Sequence, residues 1–278
     1  MKIAYGTYAT PMMTTKDSLH MMASMGYEGV EIAISPKHIM PENFDRLQRQ
    51  ILSNVLDESG LEVPGFLMLG SALPNDKQSH NKRLDLTKWV IELARDIGVK
   101  RTPVISTGSG GSSANWDEKK DDLARSLDDY AKVASDEGAI IAVEPHFNAM
   151  VDRSERAIWL MKTLDNPYIR LHFDIVHIFL AKEPITEAVH KLVPYTAHTH
   201  VTDAKILENG FELVLLGQGQ LDCVEYIKAM KDAEWTDFIT VEVSAMVWSK
   251  EGYDPISAAS LSYDVISKAF DTAGVSRQ

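Results

Sequence analysis

The chain has 278 residues, 45% apolar and 24% charged, which places it among ordinary globular proteins and near the roughly 250 residues of one eight-stranded α/β barrel. Its formal net charge of −12 repels nucleic-acid phosphate and offers nothing to anionic lipid, so a small, neutral or cation-chelating partner is expected. One cysteine, Cys223, excludes an internal disulfide; the start MKIAYGTYATPMM is no secretory signal, and no run approaches the ~18 apolar residues of a membrane span, so a cytoplasmic protein is expected.

In chain order, short β-rich apolar runs alternate with longer amphipathic segments, the pattern of βα units and a parallel sheet. The runs fall at 3–8, 29–34, 62–69, 101–106, 139–144, 169–174, 195–201 and 238–243. Helical spacing lies between them, as in Leu84, Trp89, Ile91, Leu93, Ala94 and Ile97, or Ile158, Leu160, Met161 and Leu164. Gly26, Gly60, Gly98 and Gly138 each end a helical pattern, while Asp17, Ser18, Asp117 and Glu118 sit near helix starts. Eight such units predict a single (β/α)₈ barrel domain over 1–278, with a doubly wound open sheet as the alternative. Two connections are long, 107–115 (TGSGGSSAN) and 202–220. Both follow the C-terminal ends of strands, where barrel enzymes carry their active-site loops. The first reads as a plain surface loop, a substrate lid or a phosphate nest.

The last four runs end in polar side chains where Val, Ile or Leu would fill a barrel. AIIAVEPH places Glu144 at the rim, IRLHFDIVH places Asp174, TAHTHVTD places His200, and FITVEVS places Glu242. One carboxylate in an apolar sheet is explained by a salt bridge, but four ligand-capable groups at one level need a common partner, and a cation supplies it. Three carboxylates and one imidazole form an oxygen-rich set suited to Mn²⁺ foremost, or to Mg²⁺, with Co²⁺ or Zn²⁺ also accommodated.

These runs, together with GYEGVEI at the second strand and GQGQLD before the seventh helix, resemble the xylose isomerase-like barrel superfamily of sugar isomerases and epimerases over essentially the whole chain. The resemblance implies one divalent metal held by Glu144, Asp174, His200 and Glu242, with Glu144 and Glu242 as acid–base catalysts on opposite faces of a sugar. It implies substrate contacts from His177 and Glu31, the latter with a buried salt bridge as its alternative. Its lyase branch carries a histidine after the metal glutamate, which makes His146 a candidate base. Family members form dimers or tetramers, so a homo-oligomer or partner subunit is a further implication.

His172 and His198 read as core or supporting histidines, and Trp116, Trp248, Phe66 and Tyr8 as an apolar wall for a sugar or as core. After His200, Thr202 stands where relatives often have a basic residue, leaving Lys205 nearby to meet substrate; Asp203 reads as a second-metal ligand or a loop anchor. The expected function is a metal-dependent sugar isomerase or epimerase working through an enediolate. The alternatives are a lyase or dehydratase on a 3-keto sugar or keto glycoside, and a non-catalytic sugar-binding barrel. The superfamily's distant DNA-repair member, endonuclease IV, needs more rim histidines and a basic surface, and the acidic charge here argues against that activity.

Overall fold

The computed structural model describes residues 1–277; Gln278, last in the expected domain, lies outside the described residues. Its strands are β1 (Lys2–Gly6), β2 (Gly29–Ile34), β3 (Phe66–Ser71), β4 (Val104–Gly108), β5 (Ile140–Glu144), β6 (Ile169–Asp174), β7 (Thr196–Val201), β8 (Asp203–Leu207), β9 (Gly210–Val214) and β10 (Phe238–Val241). Eight of them close in the order β1-β10-β7-β6-β5-β4-β3-β2, and β1 pairs in parallel with both β2 and β10. The fold is therefore a (β/α)₈ barrel and not an open sheet.

Its helices are α1 (Thr15–Met25), α2 (Arg46–Ser59), α3 (Lys77–Asp96), α4 (Trp116–Glu137), α5 (Ser154–Leu164), α6 (Ile175–Leu180), α7 (Ile185–Leu192), α8 (Cys223–Asp232), α9 (Ala245–Trp248) and α10 (Pro255–Thr272). Their starts are chemically marked. The Thr14 hydroxyl accepts from Asp17 N, Asp45 forms a capping box with Gln48, and Asp76 forms one with Ser79. Asp117 and Glu118 fall in the first turn of α4, against the positive end of its dipole. Among the described residues no helix is long and apolar enough to cross a membrane.

Strand boundaries depart from expectation where proline intervenes. The third strand was expected from 62 but begins at Phe66, because Pro64 has no N–H for the ladder and only an isolated bridge joins Glu62 to Gly29. The fourth was expected from 101 and begins just after Pro103. The segment 202–220, expected as a loop, carries the antiparallel hairpin β8–β9. Its signal was present in the alternation of DAKIL and FELV around Asn209-Gly210.

At the N-terminal end of the barrel, charges pair with opposite charges. Arg101 holds Asp237 through two guanidinium nitrogens, and Lys2 Nζ lies 2.5 Å from Glu62 Oε1.

Candidate active site and metal centre

Strand register brings the polar rim residues to one level. Asp174 on β6 pairs with His200 on β7, His200 pairs with Thr240 on β10, and Glu242 N donates to Val201 O at 3.1 Å, just past the end of β10. Glu144 ends β5, one strand beyond β6. Glu144, Asp174, His200 and Glu242 each offer a ligand atom within 4.8 Å of all the others. Asp174 and His200 are sealed, with side chains 0% and 1% exposed, whereas those of Glu144 and Glu242 are 15% and 22% exposed. The two glutamates are therefore the more accessible members of the set.

A shell of polar contacts orients this set. His200 Nε2 donates to Glu31 Oε2 at 2.7 Å, because a carboxylate only accepts, and Nδ1 faces Glu242 Oε2, 3.3 Å away, so carboxylates on both sides favour the protonated ring until a cation takes the place of the Nδ1 proton. The other Glu31 oxygen lies 2.9 Å from His198 Nε2. The Thr202 hydroxyl sits 3.2 Å from Asp174 Oδ2 and 3.0 Å from Glu242 Oε2, bridging two members of the set. Asp174 Oδ1 accepts from Val176 N and so also caps α6.

The electrostatics follow from crowding carboxylates in a buried space. Burial and the neighbouring Glu242 charge push Asp174 up to about 8, and the same two causes drive Glu144 well above the usual range. Burial works against Glu242 as well, but the hydrogen bond and charge of His200 hold it below that range. Burial opposes a charge on His200, yet Glu31 and Glu242 on either side raise it well above an ordinary histidine. His177 and His172 are lowered by burial and by neighbouring histidines.

A cavity of about 330 Å³ opens over the set, lined by Glu144, His146, His177, His200 and Glu242 together with Leu67, Met68, Gly70, Gly108, Ser109, Gly110, Ala149, Leu213 and Ser244. His146 is exposed to it and stacks on His177 with ring centroids 3.7 Å apart. His177 Nε2 lies 3.8 Å from Glu144 Oε1 and 3.9 Å from Asp174 Oδ2, and its buried Nδ1 has no hydrogen-bond partner among the described residues.

Several expectations are corrected. Glu31 is wholly buried, with nitrogens of His198 and His200 at 2.9 and 2.7 Å, and does not line the cavity, which matches the buried salt bridge that stood as its alternative and not a substrate contact. Lys205 is exposed on β8 opposite Glu212 and is also outside the cavity, because the hairpin carries its side chain to solvent. The aromatic wall does not form. Phe66 is core, Trp116 packs edge-on against Trp159, Trp248 sits beneath Lys37, and Tyr8 is buried beside His200.

Asp203 anchors a loop: it is fully buried and accepts from the N–H groups of Ala204, Gly217, Gly219 and Leu221 at 2.8–3.0 Å. Gly219 is required there, since a Cβ would lie 2.2 Å from Asp203 Oδ1. The glycine-rich loop is a pinned wall: Gly110 O accepts from Met150 N, Ser113 N donates to Asn148 O, and Arg156 Nη1 donates to Ser113 O and Met150 O. Sequence reasoning missed the supporting role of Thr202 and the apolar lining from Leu67 and Leu213. Both follow from tertiary contacts and not from a local pattern.

The donor set fits a divalent cation, because crowded carboxylates that burial and mutual repulsion hold in protonated form gain a shared counter-charge from one. A parallel (β/α)₈ barrel with such a rim defines the class, and the chain belongs to the xylose isomerase-like TIM barrel family, whose model matches residues 19–262. It is 21% identical to the L-ribulose-5-phosphate 3-epimerase UlaE of Escherichia coli (strain K12), over 93% of this chain and 91% of that protein. Among solved structures it superposes on the IolI protein with a bound zinc atom at TM-score 0.78 and 20% identity, covering 99% and 98% of the two chains. It also superposes on the probable 3-DHS dehydratase AsbF of Bacillus anthracis at TM-score 0.78 and 17% identity, covering 96% and 99%.

Proposed function

We propose that this protein is a divalent-metal-dependent carbohydrate isomerase or epimerase that moves a proton beside a carbonyl through an enediolate. The observation that carries this reading is the split within the ligand set: Asp174 and His200 are almost wholly buried, while the more exposed Glu144 and Glu242 reach one cavity from strands on either side of them. Bound there, the cation supplies Lewis-acid charge for the carbonyl and neighbouring hydroxyl oxygens of the sugar. Glu144, Asp174, His200 and Glu242 hold it, and the oxygen-rich set favours Mn²⁺. One exposed glutamate takes the proton from carbon and the other returns it on the opposite face. His177, beside Glu144 and Asp174, orients the substrate oxygens. The similarity to an L-ribulose-5-phosphate 3-epimerase and to a zinc-bound family member supports both the reaction class and the cation.

A second reading rests on His146. It lies on the same cavity wall as Glu144 and is a third base within reach of substrate, so a lyase or dehydratase that expels a β-leaving group after the same proton abstraction is the alternative.

The test is to load the protein with Mn²⁺ and incubate it with ketoses, inososes and 3-keto glycosides in D₂O. Deuterium at the carbon beside the carbonyl of an isomeric product, lost with chelator, is the expected result. Loss of water or an aglycone, abolished in His146→Ala, shifts the assignment to the lyase. No exchange and no elimination with any of them refutes both.

A further inference from the structure

Resting on the carbohydrate reading, we propose that the substrate is a neutral, unphosphorylated keto sugar or cyclitol, in contrast to the phosphorylated sugar named for the Escherichia coli relative. The cavity has one charged end and one uncharged end. Its charged end is anionic, formed by Glu144 and Glu242 with Asp174 behind them. His146, His177 and His200 crowd beside that end, and the remaining walls are the apolar side chains of Leu67, Met68, Leu213 and Ala149, the backbone of Gly70, Gly108 and Gly110, and the hydroxyl residues Ser109 and Ser244. Among the described residues no lysine or arginine lines it.

Cations on the elements around this cavity are bonded to other groups or stand in solvent. The Arg83 guanidinium lies behind Gly70, donating to Thr107 Oγ1 at 2.9 Å and to Tyr130 Oη at 3.3 Å. Lys250 bonds to Glu212 at 2.5 Å on β9, with Lys205 opposite Glu212 on β8. Arg153 and Arg156 both bond to Asp152. Thr202, two residues past the seventh-strand ligand, spends its hydroxyl on Asp174 and Glu242 and brings no positive charge.

A phosphate dianion in this cavity would lose its hydration and meet carboxylates and apolar groups, with no fork or ammonium to receive it. A volume of about 330 Å³ is also at the small end of the ~300–1,000 Å³ range of small-molecule sites, suited to a single sugar ring or open-chain ketose.

The experiment is calorimetric titration of the Mn²⁺-loaded protein with matched pairs, L-ribulose against L-ribulose 5-phosphate and an inosose against its phosphate ester, run beside the D₂O exchange assay. The neutral member of a pair is expected to bind at least about tenfold tighter, the scale of one missing charge-assisted contact. In Leu213→Lys, which places an ammonium on the apolar wall, that preference is expected to shrink by about the same factor. Equal or tighter binding of the phosphate ester, with exchange intact, overturns the substrate class and leaves the isomerase reading standing. Absence of both binding and exchange with every compound removes the reading and the inference together.

Discussion

The two ends of the barrel handle charge in opposite ways. At the N-terminal end Arg101 faces Asp237 and Lys2 faces Glu62, so each carboxylate has a cation of its own. At the C-terminal end Glu144, Asp174 and Glu242 face one another, with histidines and the Thr202 hydroxyl beside them, and Glu31 lies beneath. The first arrangement needs nothing from outside. The second concentrates like charge in a buried space, which lowers stability locally unless an external cation and substrate oxygens complete it. The same scaffold thus keeps its stabilising polar contacts at one end and its reactive ones at the other, the division general to this fold.

The largest test of that division is Glu242→Gln. Removing one of the two accessible carboxylates is expected to lower turnover by about 10²–10⁴-fold, the usual worth of a positioned acid–base group, with the circular dichroism spectrum unchanged. A variant retaining full activity would break the assignment of the C-terminal end as the reactive one.

Next in size is Glu31→Gln. It keeps the shape but removes the carboxylate that fixes the His200 tautomer, and Mn²⁺ affinity measured by calorimetry is expected to fall about 10–100-fold. Wild-type affinity would show that Glu31 is only a buried ion-pair partner.

Metal binding is also expected to release protons. Asp174 and Glu144 stand above the ordinary carboxylate range and His200 above the ordinary histidine range, so all three favour their protonated forms until a cation arrives. Affinity therefore rises with pH through neutrality and falls as pH drops. Titrations at pH 7 in two buffers of different ionisation enthalpy measure the protons released; an identical apparent enthalpy in both would contradict the crowded-carboxylate picture.

The smallest effect belongs to the other end. Asp237→Asn is expected to lower stability by about 1–3 kcal/mol in urea unfolding while leaving turnover unaltered. Burial opposes the Asp237 charge, but Arg101 outweighs it and holds the carboxyl below its ordinary range. Its contribution is thus present above an unfolded pKa of about 3.9 and lost as pH falls through the folded value, so the difference between variant and wild type should shrink below about pH 4. A loss of activity in this variant would blur the separation of the two ends.

Much was determined by the sequence itself. Alternating βα runs specify a parallel barrel because period-2 and period-3.6 apolar faces can both be buried only by packing helices on strands. The four metal-set residues were legible because each interrupts an apolar strand at its C-terminal end, a local break that composition exposes. The hairpin at 203–214 was read as a loop, although its strands alternate on either side of the two-residue turn Glu208-Asn209.

Other features were decided by tertiary structure alone. Glu31 and Lys205 look equally available in the chain. Barrel closure buries Glu31 against His198 and His200, residues 167 and 169 positions away, while the hairpin turns Lys205 out to solvent. That Asp203 gathers four backbone N–H groups, that Thr202 bridges Asp174 and Glu242, and that the cavity wall is Leu67 and Leu213 and not an aromatic face all depend on side chains from distant strands meeting at one point. Periodicity reports which face of an element is buried. What that face meets across the barrel depends on register and closure, which no local pattern encodes.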